Sequence, residues 1–278
     1  MNTRGVALRS DEAALHPPII TLTTDYGTND HLVGAMKGVI LKILPECQIV
    51  DICHHVLACD ILDGALTIGM AYKYFPHKTI HVVVVDPGVG TPRRPILVTG
   101  DHHFFIAPDN GVLSMVFDTQ ESFSVRHITS DHYFLRPMSN TFHGRDLFAP
   151  VAGWLAKNQQ PMSFGEEIND PVRFTLPKPR AADGKVKGVI LRVDNFGNLV
   201  TNISADMIPQ VFVPDGKFRI SVGGKEVPRV HPAYGDGGPG EPFGILGSAG
   251  LLEISVNRGS AARTLGAQRG VEVLVELL

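Results

Sequence analysis

The sequence predicts an α/β domain built on a central, mostly parallel sheet, followed by a small all-β, barrel-like domain. Three observations carry this. "TIHVVVVD" holds four valines in an unbroken run, the pattern of a parallel strand covered on both faces. Around it, strand-like and helix-like stretches alternate, and the longer helices stop at prolines. Beyond about residue 170 the helices cease, and short apolar runs recur between turn residues at close intervals.

Taken in order, residues 1–17 ("MNTRGVALRSDEAALHP") lack the apolar core of a signal peptide and read as a flexible leader. The α/β domain is expected over 18–172. "IITLTTDYG" is a strand of β-branched residues ending at Gly27, and "HLVGAMKGVILKIL" (31–44) a helix stopped by Pro45. "CQIVDI" is a second strand, and "DILDGALTIGMAYKYF" (60–75) a second helix ending before Pro76. The valine strand follows, then weaker strands at "PILVTG" and "HFFIAP" and helices at "NGVLSMVFD" and "DLFAPVAGWLAK" (146–157). A linker rich in Pro, Lys and Asp is expected over 173–187. The β domain, 188–278, is read from "GVILRVDNFGN", "KFRISVGGKEV", "FGILGSAGLLEISVN" and "VEVLVELL".

Composition narrows the function. The chain has 278 residues, 44% hydrophobic and 19% charged, enough for two packed domains. A net charge of −3 argues against nucleic acid as the main partner. No apolar run approaches the roughly 18–20 residues that cross a bilayer. Cys47, Cys53 and Cys59 form no C-x-x-C pair and read as reduced thiols of a cytoplasmic protein.

"HVVVVDPGVGTPRRP" (81–95) ends its strand on Asp86 and brings back Arg93 seven positions later. Glycines after a strand suggest a dinucleotide or phosphate cradle, but that cradle needs a helix N-terminus. Pro87, Pro92 and Pro95 oppose one. What remains is a carboxylate at a strand end, where open α/β sheets bind their ligands. Asp25 ends the first strand in the same way and suits a ribose diol. Asp30 stands where it could cap the following helix. His143, in "NTFHGRDLFAP", precedes a glycine and a helix, while Arg145 and Asp146 beside it suit mutual pairing. "DNFGNLVTN" offers Asp194, Phe196 to lie on a flat ring and Asn198 for a base edge. "GSAGLLEISVNRGSAA" adds Ser248 on a glycine-lined strand.

"TTDYGTNDHLVGAMKGVI", "VVVVDPGVGTPRR", "APDNGVL", "TFHGRDLFAP" and "DNFGNLVTN" resemble, in this order, the S-adenosylmethionine (SAM) hydroxide adenosyltransferases, hydrolase relatives of the 5′-fluorinases and 5′-chlorinases. The likeness spans both domains, and five ordered motifs are far more specific than one. It implies cleavage of SAM by water to adenosine and L-methionine, and a homotrimer with active sites between subunits. It implies a water-activating triad at Asp86, Arg93 and His143 and a ribose carboxylate at Asp25. Adenine contacts fall on Phe196 and Asn198, and methionine-end contacts on Asp194, Ser248 and Asp30. The halogenases carry a tyrosine at the position of Asp86. Cys59 departs from the pattern, standing where the halogenases place a tryptophan near the ribose.

These residue types suit the chemistry. Departure of a sulfonium relieves a positive charge, so no general acid is needed. Water is the difficulty, since in bulk it loses a proton only near pKa 15.7. Side-chain chemistry alone makes His143 the first choice for proton acceptor, with Asp86 binding the same water or orienting the histidine. Arg93 stays protonated and can only stabilise developing hydroxide. The scheme needs no cofactor and no metal. His54–His55 and His102–His103 lack the helical spacing and glutamate of a zinc site. Three other readings stand beside it: a 5′-halogenase, a non-catalytic adenosine or SAM sensor, and a metal-dependent hydrolase.

Overall fold

The computed structural model describes residues 17–278, so the expected leader, but for Pro17, lies outside the described residues. Two compact units divide between Phe174 and Thr175. The first contains β1 (Ile19–Thr24), α1 (Leu32–Ile43), β2 (Gln48–Cys53), α2 (Ile61–Ala71), β3 (Ile80–Val84), β4 (Pro95–Thr99), β5 (Phe104–Pro108), α3 (Ser114–Phe117), β6 (Ser124–His127), α4 (Ala149–Ala156) and β7 (Glu167–Ile168).

Its sheet runs in the order β2-β1-β3-β5-β4-β6-β7. β2, β1, β3 and β5 are parallel neighbours, whereas β4, β6 and β7 each run antiparallel to the strand before them in that order. The valine run explains its own place at the centre. Val82 and Val84 pack into the layer of Met36, Ile40 and Phe148, while Val83 and Val85 pack into that of Ile68, Phe105 and Val112. Each such valine, fully buried, contributes roughly 1.5–3 kcal/mol. Both faces are covered, and the one polar residue within β3, His81, is held by Thr21 Oγ1 at 2.7 Å.

α1 buries Val33, Met36 and Ile40, one stripe at helical spacing, and stops ahead of Pro45. α2 starts where the Asp60 side chain accepts the N–H of Asp63 at 3.1 Å. It is shorter than the expected 60–75, because residues 72–74 tighten into a 3₁₀ turn before Pro76.

The expected helix over 146–157 begins differently. Pro150 has no N–H for the Asp146 carbonyl, and its ring crowds that group. The chain therefore opens into a π turn, Gly144–Phe148, with the Ala149 N–H bonded to the Gly144 carbonyl. The released Asp146 carbonyl accepts the N–H of Leu135 at 2.8 Å.

The second unit contains β8 (Arg180–Ala182), β9 (Lys185–Val193), β10 (Leu199–Ser204), β11 (Phe218–Val222), β12 (Lys225–Val227), β13 (Pro242–Leu246), β14 (Leu251–Val256), α5 (Ala261–Leu265) and β15 (Glu272–Leu277). Part of the segment 173–187 is thus strand. The order is β12-β11-β15-β9-β10-β14-β13, with β8 added on β9 and every pair antiparallel. The two ends of that path come together: just after β12, the His231 N–H bonds to the Gly244 carbonyl and the Gly244 N–H to that of Arg229. The result is barrel-like, filled by Ile190, Ile220, Ile254, Val273 and Val275. No helix among the described residues is long and apolar enough to cross a membrane.

Candidate active site

β1 and β3 are parallel neighbours paired Thr24 to Val84 at their ends. Asp25 leaves the first strand and Asp86 the second at the same edge of the sheet, the edge where such sheets bind ligands. After Asp86 the chain turns twice. The Val89 N–H bonds to the Asp86 carbonyl at 3.2 Å, and the Thr91 N–H to that of Gly88 at 3.1 Å. Gly90 permits this with φ of +75°, and the Asn140 carbonyl lies where a β-carbon would be. The double turn returns Arg93 to Asp86.

Arg93 Nε donates to both Asp86 oxygens, at 3.0 and 2.9 Å, and Nη2 donates to Oδ2. The same Nη2 lies 2.7 Å from His143 Nδ1. A guanidinium only donates, so Nδ1 must be the acceptor and the neutral ring carries its proton on Nε2. Burial, then the charge of Arg93, holds the His143 pKa below the usual histidine value, so the ring stays neutral. Nε2 is buried without a protein partner. The order in space is therefore aspartate, arginine, histidine, with arginine in the middle. Its guanidinium also lies 5.4 Å from the ring centre of Phe148.

Asp25 accepts the backbone N–H of Cys59 on Oδ2 at 2.9 Å, and Cys59 itself has φ of +61°. Cys59 thus gives Asp25 a backbone donor and carries an exposed thiol. All three cysteines are unpaired. Asp30 Oδ1 accepts the Leu32 N–H at 3.0 Å, a bond at the start of α1. Arg145 and Asp146 pair with one another, and the buried Asp146 also accepts the Ser139 N–H.

In the second unit the Asp194 carboxylate builds the β9–β10 turn. Oδ1 accepts the N–H groups of Phe196 and Asn198, and Oδ2 accepts Asn198 Nδ2, all at 2.8 Å. The bond to Nδ2 leaves Asn198 Oδ1 free to accept from a ligand. Phe196, 76% exposed, stands out from the turn. Asp194, Phe196 and Asn198 line a cavity of about 550 Å³ together with Tyr234, Arg258 and Arg263. Tyr234 donates its hydroxyl to the buried Glu253, 3.2 Å away. Ser248 lies in the exposed β13–β14 turn and is not among the residues lining that cavity.

The sequence matches the SAM hydroxide adenosyltransferase N-terminal domain over residues 20–165 and the corresponding C-terminal domain over 188–274. The chain belongs to this family. The (R)-S-adenosyl-L-methionine hydrolase of Thermus thermophilus is 34% identical over 257 residues, 90% of this chain and 96% of its own length. A fluorinase of Nocardia brasiliensis is 28% identical, across 94% and 97% of the two chains. The crystal structure of an uncharacterized conserved protein from Thermotoga maritima has a TM-score of 0.87 at 37% identity, covering 92% of this chain and 99% of that one.

In this member of the SAM hydroxide adenosyltransferase family, three contributions escaped sequence reasoning. Arg94 turns away from its neighbour to the buried Asp109, bonding through Nε at 2.8 Å, as adjacent side chains of an extended segment do. That anchor directs Arg93 the other way, toward Asp86. Asn110 donates Nδ2 to the Val85 carbonyl at 2.8 Å and so fixes the peptide before Asp86. The motif "APDNGVL" was visible, but not what it held. The third is Tyr26, whose hydroxyl lies against Gly144, where an added β-carbon would sit 2.5 Å from it.

Proposed function

We propose that the chain hydrolyses SAM to adenosine and L-methionine, by in-line attack of water on ribose C5′. The observation that carries this reading is the hydrogen-bonded series Asp86–Arg93–His143 at the sheet edge that also holds Asp25. Hydrolases similar over most of this chain bear that activity in their names, and the fluorinases are less similar.

The proton acceptor in this scheme is Asp86 and not His143, the first choice from side-chain chemistry alone. The Nδ1 lone pair of His143 faces Arg93, and Nε2 already carries hydrogen. Asp86 Oδ1 accepts one bond from Arg93 against two at Oδ2, and so retains a lone pair for the water proton. As the water oxygen closes on C5′, the C5′–S bond breaks, its electron pair goes to sulfur, and the water proton passes to Asp86. The His143 Nε2–H donates to the attacking oxygen, and Arg93 holds both partners in register. Preorganised groups of this kind act without reorganisation during the reaction. Asp25, with one oxygen bonded to Cys59, offers the other to the ribose hydroxyls. Phe196 supplies a ring face for adenine and Asn198 an acceptor for its amino group, with Asp194 positioning both. Ser248 is assigned to the methionine end by the family resemblance.

The same resemblance supports a homotrimer with active sites at subunit interfaces, checked by light scattering on the eluted protein. Unpaired cysteines suit a cytoplasmic setting. The reaction is tested by incubating metal-stripped protein with SAM in ¹⁸O-water. Labelled 5′ oxygen in adenosine, with methionine released, is expected. Bound but intact SAM would identify a sensor. Turnover restored only by halide or metal would replace this reading with one of the other two.

A further inference from the structure

Tyr26 follows Asp25 and lies, like Asp86, two residues beyond its strand. The pairing of Thr24 with Val84 sets the two at the same level of the sheet edge. Its ring meets Phe142 edge-on at 5.8 Å between centres, and its hydroxyl lies against Gly144. Tyr26 thus touches the residues on both sides of His143. Gly144 is required for this: a β-carbon there would fall 2.5 Å from the Tyr26 hydroxyl and 3.2 Å from Met36 Sδ. Burial, then the Asp25 and Asp86 carboxylates, push the phenol pKa well above its usual value, while Arg93 opposes them. The group stays a neutral hydroxyl that both donates and accepts.

A water molecule attacking carbon spends one lone pair on the new bond. One lone pair and two O–H groups remain. In the scheme above Asp86 takes one O–H, and the His143 Nε2–H fills the lone pair. The second O–H is left without an acceptor, and an unfilled hydrogen bond in a buried site lets the water rotate away from its line of attack.

We propose that the Tyr26 hydroxyl oxygen accepts this second O–H, making Tyr26 a third polar group, beside Asp86 and His143, that holds the attacking water. The proposal rests on SAM hydrolysis as the reaction. Tyr26 receives no proton, and the water proton still leaves to Asp86.

The test compares the full-length protein with Tyr26→Phe, which retains the ring packing on Phe142. With SAM in water, kcat is expected to fall about 10–100-fold, with KM changed less than threefold and thermal stability unchanged. The discriminating arm adds methanol, which has one O–H and so needs no second acceptor. Attack by methanol gives 5′-O-methyladenosine, methionine and a proton. The ratio of 5′-O-methyladenosine to adenosine is expected to rise about tenfold or more in the variant. An unchanged ratio, or kcat within twofold of wild type, overturns the proposal. A wild-type protein that binds SAM without cleaving it would instead overturn the hydrolase reading, and the proposal with it.

Discussion

β3 carries a polar residue near each end, and the surroundings of the two differ in kind. His81, one residue into the strand, is fully buried. Its Nδ1 bonds to Thr21 Oγ1 at 2.7 Å, and its other neighbours are aromatic: Tyr72, Phe75, Phe105 and His103. Asp86, just past the other end, is nearly as buried but faces a guanidinium and, through it, a histidine. One site has no countercharge and keeps its residue neutral. The other sets a guanidinium between a carboxylate and a neutral histidine. Burial alone therefore marks neither function nor structure; what faces the buried group decides which it serves.

The strongest way to break this comparison is to remove the charge at Asp86 while retaining its shape. Asp86→Asn keeps an oxygen for Arg93 Nε but has lost most of its ability to accept a proton. Turnover of SAM is expected to fall about 10²–10⁴-fold, the usual range for loss of a general base. Binding of SAM, measured by calorimetry, is expected to persist. Unimpaired turnover would remove Asp86 from the role assigned to it.

A smaller effect is expected at the other end of the strand. Burial, then the neighbouring His103, pulls the His81 pKa down to about 3, and burial pulls that of His103 down to about 4. In the unfolded chain a histidine takes up its proton near pH 6.5. Between those values the unfolded state binds more protons, so stability is full above about pH 6.5 and declines as the pH falls. His81 alone contributes about 1.4 kcal/mol per pH unit, or about 2 kcal/mol lost by pH 5. Urea unfolding at pH 7 and pH 5 measures the decline. His81→Asn keeps a polar atom for Thr21 and is expected to make the decline shallower, leaving the part due to His103. An equal slope in the variant would assign the acid sensitivity elsewhere.

The two ends of β3 also differ in how legible they were. The valine run predicted a strand covered on both faces, and the proline-rich double turn left Arg93 free to return to Asp86. Those inferences needed only local chemistry. Strand direction followed for the valine run, parallel to both its neighbours, but nothing in the weaker runs "PILVTG" and "HFFIAP" marked β4 as antiparallel to β5. Pro150 stood in plain view at the start of α4, but the Leu135 N–H that takes up the freed Asp146 carbonyl comes from outside the helix and did not. The roles within Asp86, Arg93 and His143 were hidden for the same reason. Which nitrogen of His143 carries hydrogen is set by Arg93 standing between the other two, and only the fold puts it there. Nothing local marks Tyr26, whose hydroxyl meets Gly144 only through the fold.

The finest comparison is between two aspartates after β1. Asp25 has one oxygen bonded to a backbone N–H and the other open, whereas exposed Asp30 bonds to the first N–H of α1. The His31 side chain makes no cap bond, so Asp30 is the side chain that satisfies this helix start. Asp30→Ala is accordingly expected to cost about 1 kcal/mol of stability and to leave KM for SAM within twofold. Asp25→Ala should do the reverse, raising KM with little change in unfolding. A tenfold rise in KM for Asp30→Ala, at unchanged stability, would move Asp30 into the substrate site, where the family resemblance puts it. Each carboxylate spends one oxygen on a backbone N–H, so what separates them is place: Asp25 is half-buried at the sheet edge beside Asp86, and Asp30 is exposed at a helix start.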